Sequence, residues 1–179
     1  MREAGDMLET QSELDDLQDL LDSSLASATE HLRSIVTPGE RTLTARQTAD
    51  VLTGMRTLSI ATVTAHGEPR ISAVDGHLLH GRWVFGTSSS AAKARHLAAR
   101  PAVSVSHLRG EELGVFTHGY AELLNPVDGE ADPWWSWVLP HLAAYYGQSP
   151  LDWGGVSYYR LRPTWMVVFA SDPAALLGH

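Results

Sequence analysis

The chain has 179 residues, is 44% hydrophobic, carries a formal net charge of −8 and contains no cysteine. That is enough chain for one or at most two domains with a real buried core, and it excludes disulfides, thiolate metal sites and cysteine nucleophiles. No apolar run is long enough to span a bilayer, and no basic stretch followed by an apolar one opens the chain. Neither a transmembrane helix nor a secretory signal is therefore expected, and a cytoplasmic location fits.

The charge is unevenly placed. Residues 1–30 hold nine acids (Glu3, Asp6, Glu9, Glu13, Asp15, Asp16, Asp19, Asp22 and Glu30) against one base, Arg2, and this accounts for the whole net charge. The rest of the chain is neutral. An acidic arm repels phosphate backbones, so nucleic acid is not an expected partner. Residues 1–40 read as an acidic amphipathic helix appended to a domain spanning 41–179. The 13 basic residues are 12 arginines and one lysine, Lys93.

In chain order, Leu14, Leu17, Leu21, Leu25, Ala28, Leu32 and Ile35 form one apolar stripe, which predicts a helix over about 11–36 ended by Pro38-Gly39. Its acids read as a solvated face, and its near-heptad spacing leaves a docking role open. Thr44 to Gln47 has the form of a capping box opening a second helix that stops near Gly54. Leu58–Ala65, a turn at His66-Gly67, and Arg70–Val74 read as a hairpin. Leu78-Leu79, a turn at His80-Gly81, and Arg82–Thr87 read as another.

Ser88-Ser89-Ser90 then leads into a helix over 91–99, stopped by Pro101. Strands follow at Ala102–His107 and Leu113–Leu124, the second bent at Gly119. Asp132-Pro133 is expected to start a helix over Trp134–Tyr146, ended by Gly147. The closing strand segments are Val156–Leu161 and Trp165–Ala170, interrupted near Arg162-Pro163. About six antiparallel strands with short helices between them point to a closed or half-closed barrel, since closure removes edges.

The segment from Phe85 to Leu97 carries the most chemistry. A strand ends, four hydroxyl residues follow (Thr87, Ser88, Ser89 and Ser90), and a helix begins with Lys93 one turn in. Amides at a helix N-terminus, hydroxyls and an ammonium together suit a phosphate monoester, and Arg70 is placed to join them. The plainer reading is a serine-capped helix with a solvent-facing lysine. Of the nine histidines, His77 and His80 flank a turn but lack a carboxylate at ligand spacing, so no metal is expected. His107 and His118 are the candidate haem ligands. On the 134–146 helix, Trp134 and Trp137 share a face with His141 and Tyr145, and this aromatic face either packs on the barrel or covers a flat ligand.

The order of these segments resembles the pyridoxamine 5′-phosphate oxidase-like flavin and deazaflavin proteins, over about residues 44–170. Leu58–Ser72 is similar to their opening hairpin. Val84–Thr87, Lys93–Leu97 and Arg100–Val105 are similar to their cofactor-phosphate region, and Tyr159–Thr164 resembles their closing strand. The resemblance implies a mainly β fold with flanking helices, the split β-barrel. It implies an oxidoreductase that uses FMN or the deazaflavin F420 for hydride transfer to a small organic substrate, and a homodimer with its site at the interface.

Carried over by position, Arg70 and Lys93 would bind the cofactor phosphate, assisted by Thr87, Ser88 and Ser89. The backbone of Ser72, Ala73 and Val74 would line the ring. Arg109, His118 and Trp165 are candidates for what a second chain contributes. Ser90-Ala91-Ala92-Lys93 lacks the Ser-Arg-Lys run of true pyridoxamine phosphate oxidases, so pyridoxamine phosphate is not the implied substrate. No catalytic side chain is implied. The alternative is a non-catalytic flavin- or haem-binding dimeric module, haem-degrading relatives included.

Overall fold

The structure is a computed structural model that describes residues 8–178; Arg2, Glu3 and Asp6 of the acidic run lie outside the described residues. Six antiparallel strands close into a barrel in the order β1-β2-β3-β6-β5-β4. They are β1 (Met55–Val63), β2 (Pro69–Leu79), β3 (Arg82–Ser88), β4 (Ala102–Arg109), β5 (Leu113–Leu123) and β6 (Val156–Ala170). The helices lie outside, which makes this the mainly β barrel that the strand count predicts. Leu58, Ile60, Trp83, Phe85, Leu161 and Met166 fill the interior, each at most 1% exposed. The Trp83 indole N–H donates to Thr117 Oγ1 at 3.2 Å, so this buried polar pair is satisfied.

The expected long N-terminal helix is two helices, α1 (Gln11–Ala26) and α2 (Glu30–Ile35). Local polar groups win over the apolar stripe. Thr29 caps α2 by accepting from Leu32 N–H, and the Arg33 guanidinium binds the carbonyls of Ala26 and Ala28. The stripe of α1 is used within the chain: Leu14, Leu17 and Leu21 are buried in the barrel's own core cluster. Each contributes about 1.5–3 kcal/mol by that burial. Ser24 Oγ accepts the Met166 N–H of β6 at 2.9 Å.

Helix α3 (Ala45–Val51) has the capping box of Thr44 and Gln47 in full. Helix α4 (Ala92–Ala99) is capped by Ala91 with no side-chain bond, so the serines before it do not cap it. Helix α5 (Trp135–Tyr146) starts at Trp135, and Asp132 Oδ1 accepts from the Trp134 N–H at 2.9 Å. A 3-10 turn (Pro150–Trp153) and a short α6 (Pro173–Leu177) were not expected.

Two expected interruptions are absent. β2 runs unbroken through Asp75-Gly76-His77, then turns at His80-Gly81 with φ of +51° and +69°. Positive φ at both positions is the two-residue turn that matches strand twist. β6 runs straight past Pro163, because Pro163 faces the register shift between His118 and Gly119. A Cβ on Gly119 would stand 2.2 Å from the Arg162 carbonyl oxygen, so glycine alone lets the two strands meet there.

β2 changes character at Gly76. Residues 76–77 pair with both β1 and β3 and residues 78–79 with β3, while residues 69–75 pair with β1 alone. The Thr64 N–H donates to the Glu68 carbonyl at 3.0 Å, so the even-numbered residues of this strand turn their backbone toward β1. Ile71, Ala73 and Asp75 turn theirs the other way, along an edge that no strand covers. The outward side chains change at the same point: Ile71, Ala73 and Asp75 are exposed, whereas His77 and Leu79 are buried under α5.

Candidate functional site

Lys93 crosses from the first turn of α4 to that open edge, and its ammonium donates to the Ala73 carbonyl at 3.0 Å. The sole lysine thus stands beside the backbone expected to line a ring. Of Ser72, Ala73 and Val74, only Ala73 offers its N–H and C=O outward. The Ser72 and Val74 backbones face β1, and the Val74 side chain lies in the core. No side chain caps α4, so the amides of its first turn are left without a side-chain acceptor.

The hydroxyl run divides. Ser88 Oγ and Ser90 Oγ share a 2.9 Å hydrogen bond on the surface. Ser89 turns away: its Oγ bonds Ser157 Oγ at 2.8 Å and its N–H donates to the Gly155 carbonyl at 2.9 Å. Thr87 is half-buried at the end of β3. Arg70 lies three residues before Ala73 and pairs with Glu68 at 2.6 Å, both side chains more than half exposed. The structure therefore brings Lys93 to Ala73, with Ser88 and Ser90 in the segment that leads into α4. It leaves Arg70 at the strand's far end with a carboxylate already on it.

The aromatic helix α5 packs over the far end of β2 and contacts its two histidines separately. Trp134 and Trp137 pack around His80 at 5.9 and 4.3 Å, and Arg160 lies over Trp134 at 4.6 Å. His80 Nδ1 also meets Glu13 of α1 at 2.7 Å. Burial raises the Glu13 carboxyl's pKa, but hydrogen bonds from the Thr10 backbone and from His80 outweigh it and hold the group below its ordinary value. Tyr145 and Tyr146 surround His77, whose Nε2 lies 3.0 Å from Tyr146 Oη. His77 and His80 thus take different partners, and no cluster of three metal-ligating side chains occurs among the described residues.

Among the described residues no helix covers the centre of the outer face of β1, β4 and β5. Ser59, Ala61, Ser104 and Ser106 form a flat centre, and Ile71 (79% exposed), Leu108, Phe116 and Tyr120 stand out from it. His118 stacks on Trp165 at 4.8 Å and 17°, with Nδ1 2.8 Å from Ser104 Oγ. An apolar groove of about 460 Å³ runs from this pair to Leu32 and Ile35 of α2. His107 Nδ1 meets the Thr57 carbonyl at 3.0 Å, and Arg109 pairs with Glu112 at 3.0 Å on the rim. No described helix is long and apolar enough to cross a membrane.

Sequence reasoning did not single out Asp75 or bring His77 to Tyr146. The visible signal was a charged residue and a histidine amid an otherwise apolar, small-residue strand. What gives them meaning is α5 folding back from about seventy residues downstream.

A family model described as pyridoxamine 5′-phosphate oxidase matches residues 44–167. No curated protein matches the chain. Among solved structures, a protein of unknown function from Agrobacterium tumefaciens is similar at a TM-score of 0.56 and 21% identity. That match covers 70% of this chain, which spans only 56% of the length of its relative. The haem storage protein HutZ of Vibrio cholerae is similar at 0.54 and 21%, over 64% of this chain and 86% of its own. An F420 reductase is similar at 0.50 and 22%, over 65% and 92%. At such identities these likenesses establish the shared fold.

Proposed function

The chain belongs to the pyridoxamine 5′-phosphate oxidase family, and on that premise we propose that it is a cytoplasmic, homodimeric oxidoreductase holding FMN or the deazaflavin F420 along the open edge of β2. The observation that carries this reading is the edge itself. The outward N–H and C=O groups of Ile71, Ala73 and Asp75 lie beside the only lysine and an uncapped helix start.

The residues present fit such a group. The pyrimidine side of a flavin alternates carbonyl acceptors with an N–H donor, which is what a strand edge pairs with. Lys93, the α4 amides and the Ser88–Ser90 hydroxyls suit the phosphate. Ser89 and Thr87 border that site. Arg70 reaches it by exchanging Glu68 for the phosphate. A bound flavin or deazaflavin supplies hydride transfer to a small organic substrate; the chain supplies orientation and shielding. The bare β1–β4–β5 face, with its protruding apolar side chains, is the surface a second copy covers, and His118 and Trp165 are the groups it brings to its partner.

Lys93→Ala is expected to weaken FMN by about 1.5–3 kcal/mol, the scale of a hydrogen bond to a charged group. Titration with FMN and F420 in turn, followed by fluorescence, checks it, and unchanged affinity for both removes Lys93 from the site.

One observation favours haem as a second reading. The Nδ1 atoms of His107 and His118 are both engaged by oxygens, which leaves Nε2 of each as the nitrogen free to bind iron. A Soret band that shifts with His118→Ala or His107→Ala supports it.

A further inference from the structure

One buried group has no part in that reading. His77 is 2% exposed beneath α5, and Tyr145, Tyr146 and His141 meet its ring edge to face at 4.9, 5.7 and 6.0 Å. Its Nε2 lies 3.0 Å from Tyr146 Oη, while Nδ1 is buried with no hydrogen-bond partner among the described residues. Burial, then the charges of His141 and Arg56, push its pKa down to about 4, so the ring is neutral under ordinary conditions.

A neutral imidazole carries one proton and has two tautomers. With the proton on Nδ1, a buried N–H points at carbon rings without an acceptor. With the proton on Nε2, the orphan is a lone pair. Buried donors without a partner are rarer than under-satisfied acceptors, because the donor forfeits its only bond. The Nε2–H tautomer is therefore the one this environment selects, and Tyr146 Oη must then accept.

Accepting from His77 leaves the Tyr146 proton free to be donated elsewhere. Burial and then the nearby Asp75 carboxylate push the Tyr146 pKa up to about 12, so the group keeps that proton. Asp75 is the last residue of the open β2 edge. On its other side the Tyr146 ring meets Trp153 at 5.0 Å, two residues before the Gly155 carbonyl that holds Ser89. Tyr146 is thus linked to Asp75 at the end of the edge and, through Trp153, to the segment that holds Ser89.

We propose that His77 is a positioning residue: it donates Nε2–H to Tyr146 Oη and so commits the Tyr146 hydroxyl proton to an acceptor atom, a carbonyl oxygen or ring nitrogen, of the group bound along the β2 edge. This rests on the reading of that edge as a cofactor cleft. Tyr146 touches the ligand, and His77 acts through it.

Long-range proton–nitrogen NMR on 15N-labelled full-length protein at neutral pH tests the first half. The expected result is a protonated Nε2 and a bare Nδ1 on His77. The reverse assignment, with Nδ1–H against the Tyr145 ring, overturns the proposal whatever FMN does. FMN titration tests the second half, with thermal melts confirming that each variant is folded. Tyr146→Phe should weaken FMN by about three- to tenfold, the scale of one neutral hydrogen bond. His77→Phe should fall with it, and His77→Gln, whose amide N–H can stand where Nε2–H stood, should stay near the wild type. Equal loss in the Gln and Phe variants means a structural His77 and overturns the positioning role. A Lys93→Ala variant that binds FMN normally instead overturns the cleft reading, and the ligand half falls with it; the tautomer measurement distinguishes the two failures.

Discussion

The two halves of β2 belong to one strand and live under different rules. Residues 76–79 are all paired with β3, the first two with β1 as well, and are covered on both faces, inside by the barrel and outside by α5. Residues 69–75 keep one edge and one face open. The closed half follows from a two-residue turn, His80-Gly81, which holds β3 against β2. The open half follows from β3 running on beside β6 alone after Phe85 and then leading into α4 rather than into another strand. The first half is built for stability. The second retains backbone donors and acceptors that a buried strand would have to spend on a neighbour.

The comparison breaks most visibly in the closed half. Phe85 is wholly buried, lies opposite Gly76 and stacks on Tyr159 at 5.5 Å. Phe85→Ala should cost about 3–5 kcal/mol, the cost of emptying a well-packed aromatic site. Urea unfolding measures it. A loss below about 1 kcal/mol would mean that the junction tolerates collapse and that the closed half is not rigid.

Proline reads the two edges one residue apart. The Ser72 N–H belongs to the β1 ladder, so Ser72→Pro should destabilise by about 1–3 kcal/mol through an orphaned partner. The Ala73 N–H faces the open edge, so Ala73→Pro should leave stability nearly unchanged and weaken FMN instead. Equal unfolding costs for the two variants would show that the edge is not open.

Much of this was legible in the sequence, and the losses have physical causes. Strands, turns and the α3 capping box follow from local chemistry, and so the barrel could be anticipated. The α1–α2 break was hidden because an apolar stripe outvotes a Thr29 cap in any periodicity count. β6 was wrongly interrupted at Pro163, because the glycine that accommodates it lies on another strand. At the site, Lys93 stood out as the only lysine. Arg70 is assigned to the phosphate by the resemblance, and its ion pair with Glu68 is visible only in the structure. His77 and Tyr146 were invisible as a pair because their contact is made by the return of α5.

His77 marks the border between the halves and should give the fold a pH dependence. A histidine whose pKa falls from 6.5 unfolded to about 4 folded binds fewer protons in the native state between those values. Stability is therefore present in full above pH 6.5, drains as pH falls toward 4, and changes no further below that. The lowered pKa of His141 acts in the same direction. Between pH 7 and 5 the His77 contribution should be about 2 kcal/mol. Urea unfolding at the two pH values should show this loss in the wild type and much less in His77→Gln.

The smallest effect on folding should come from the open face. Ile71 is 79% exposed, so Ile71→Lys should change unfolding of the single chain by less than about 0.5 kcal/mol. If a second copy covers this face, the same lysine must be buried against apolar atoms twice, once from each protomer, because a two-fold interface presents every residue to both sides. Desolvating an unpaired ammonium there is costly enough to shift the equilibrium toward monomer at micromolar concentration. Sedimentation equilibrium of the wild type and Ile71→Lys therefore separates the two uses of one strand: a change in mass without a change in melting assigns the open half to association and ligand, while a change in melting alone returns Ile71 to the fold.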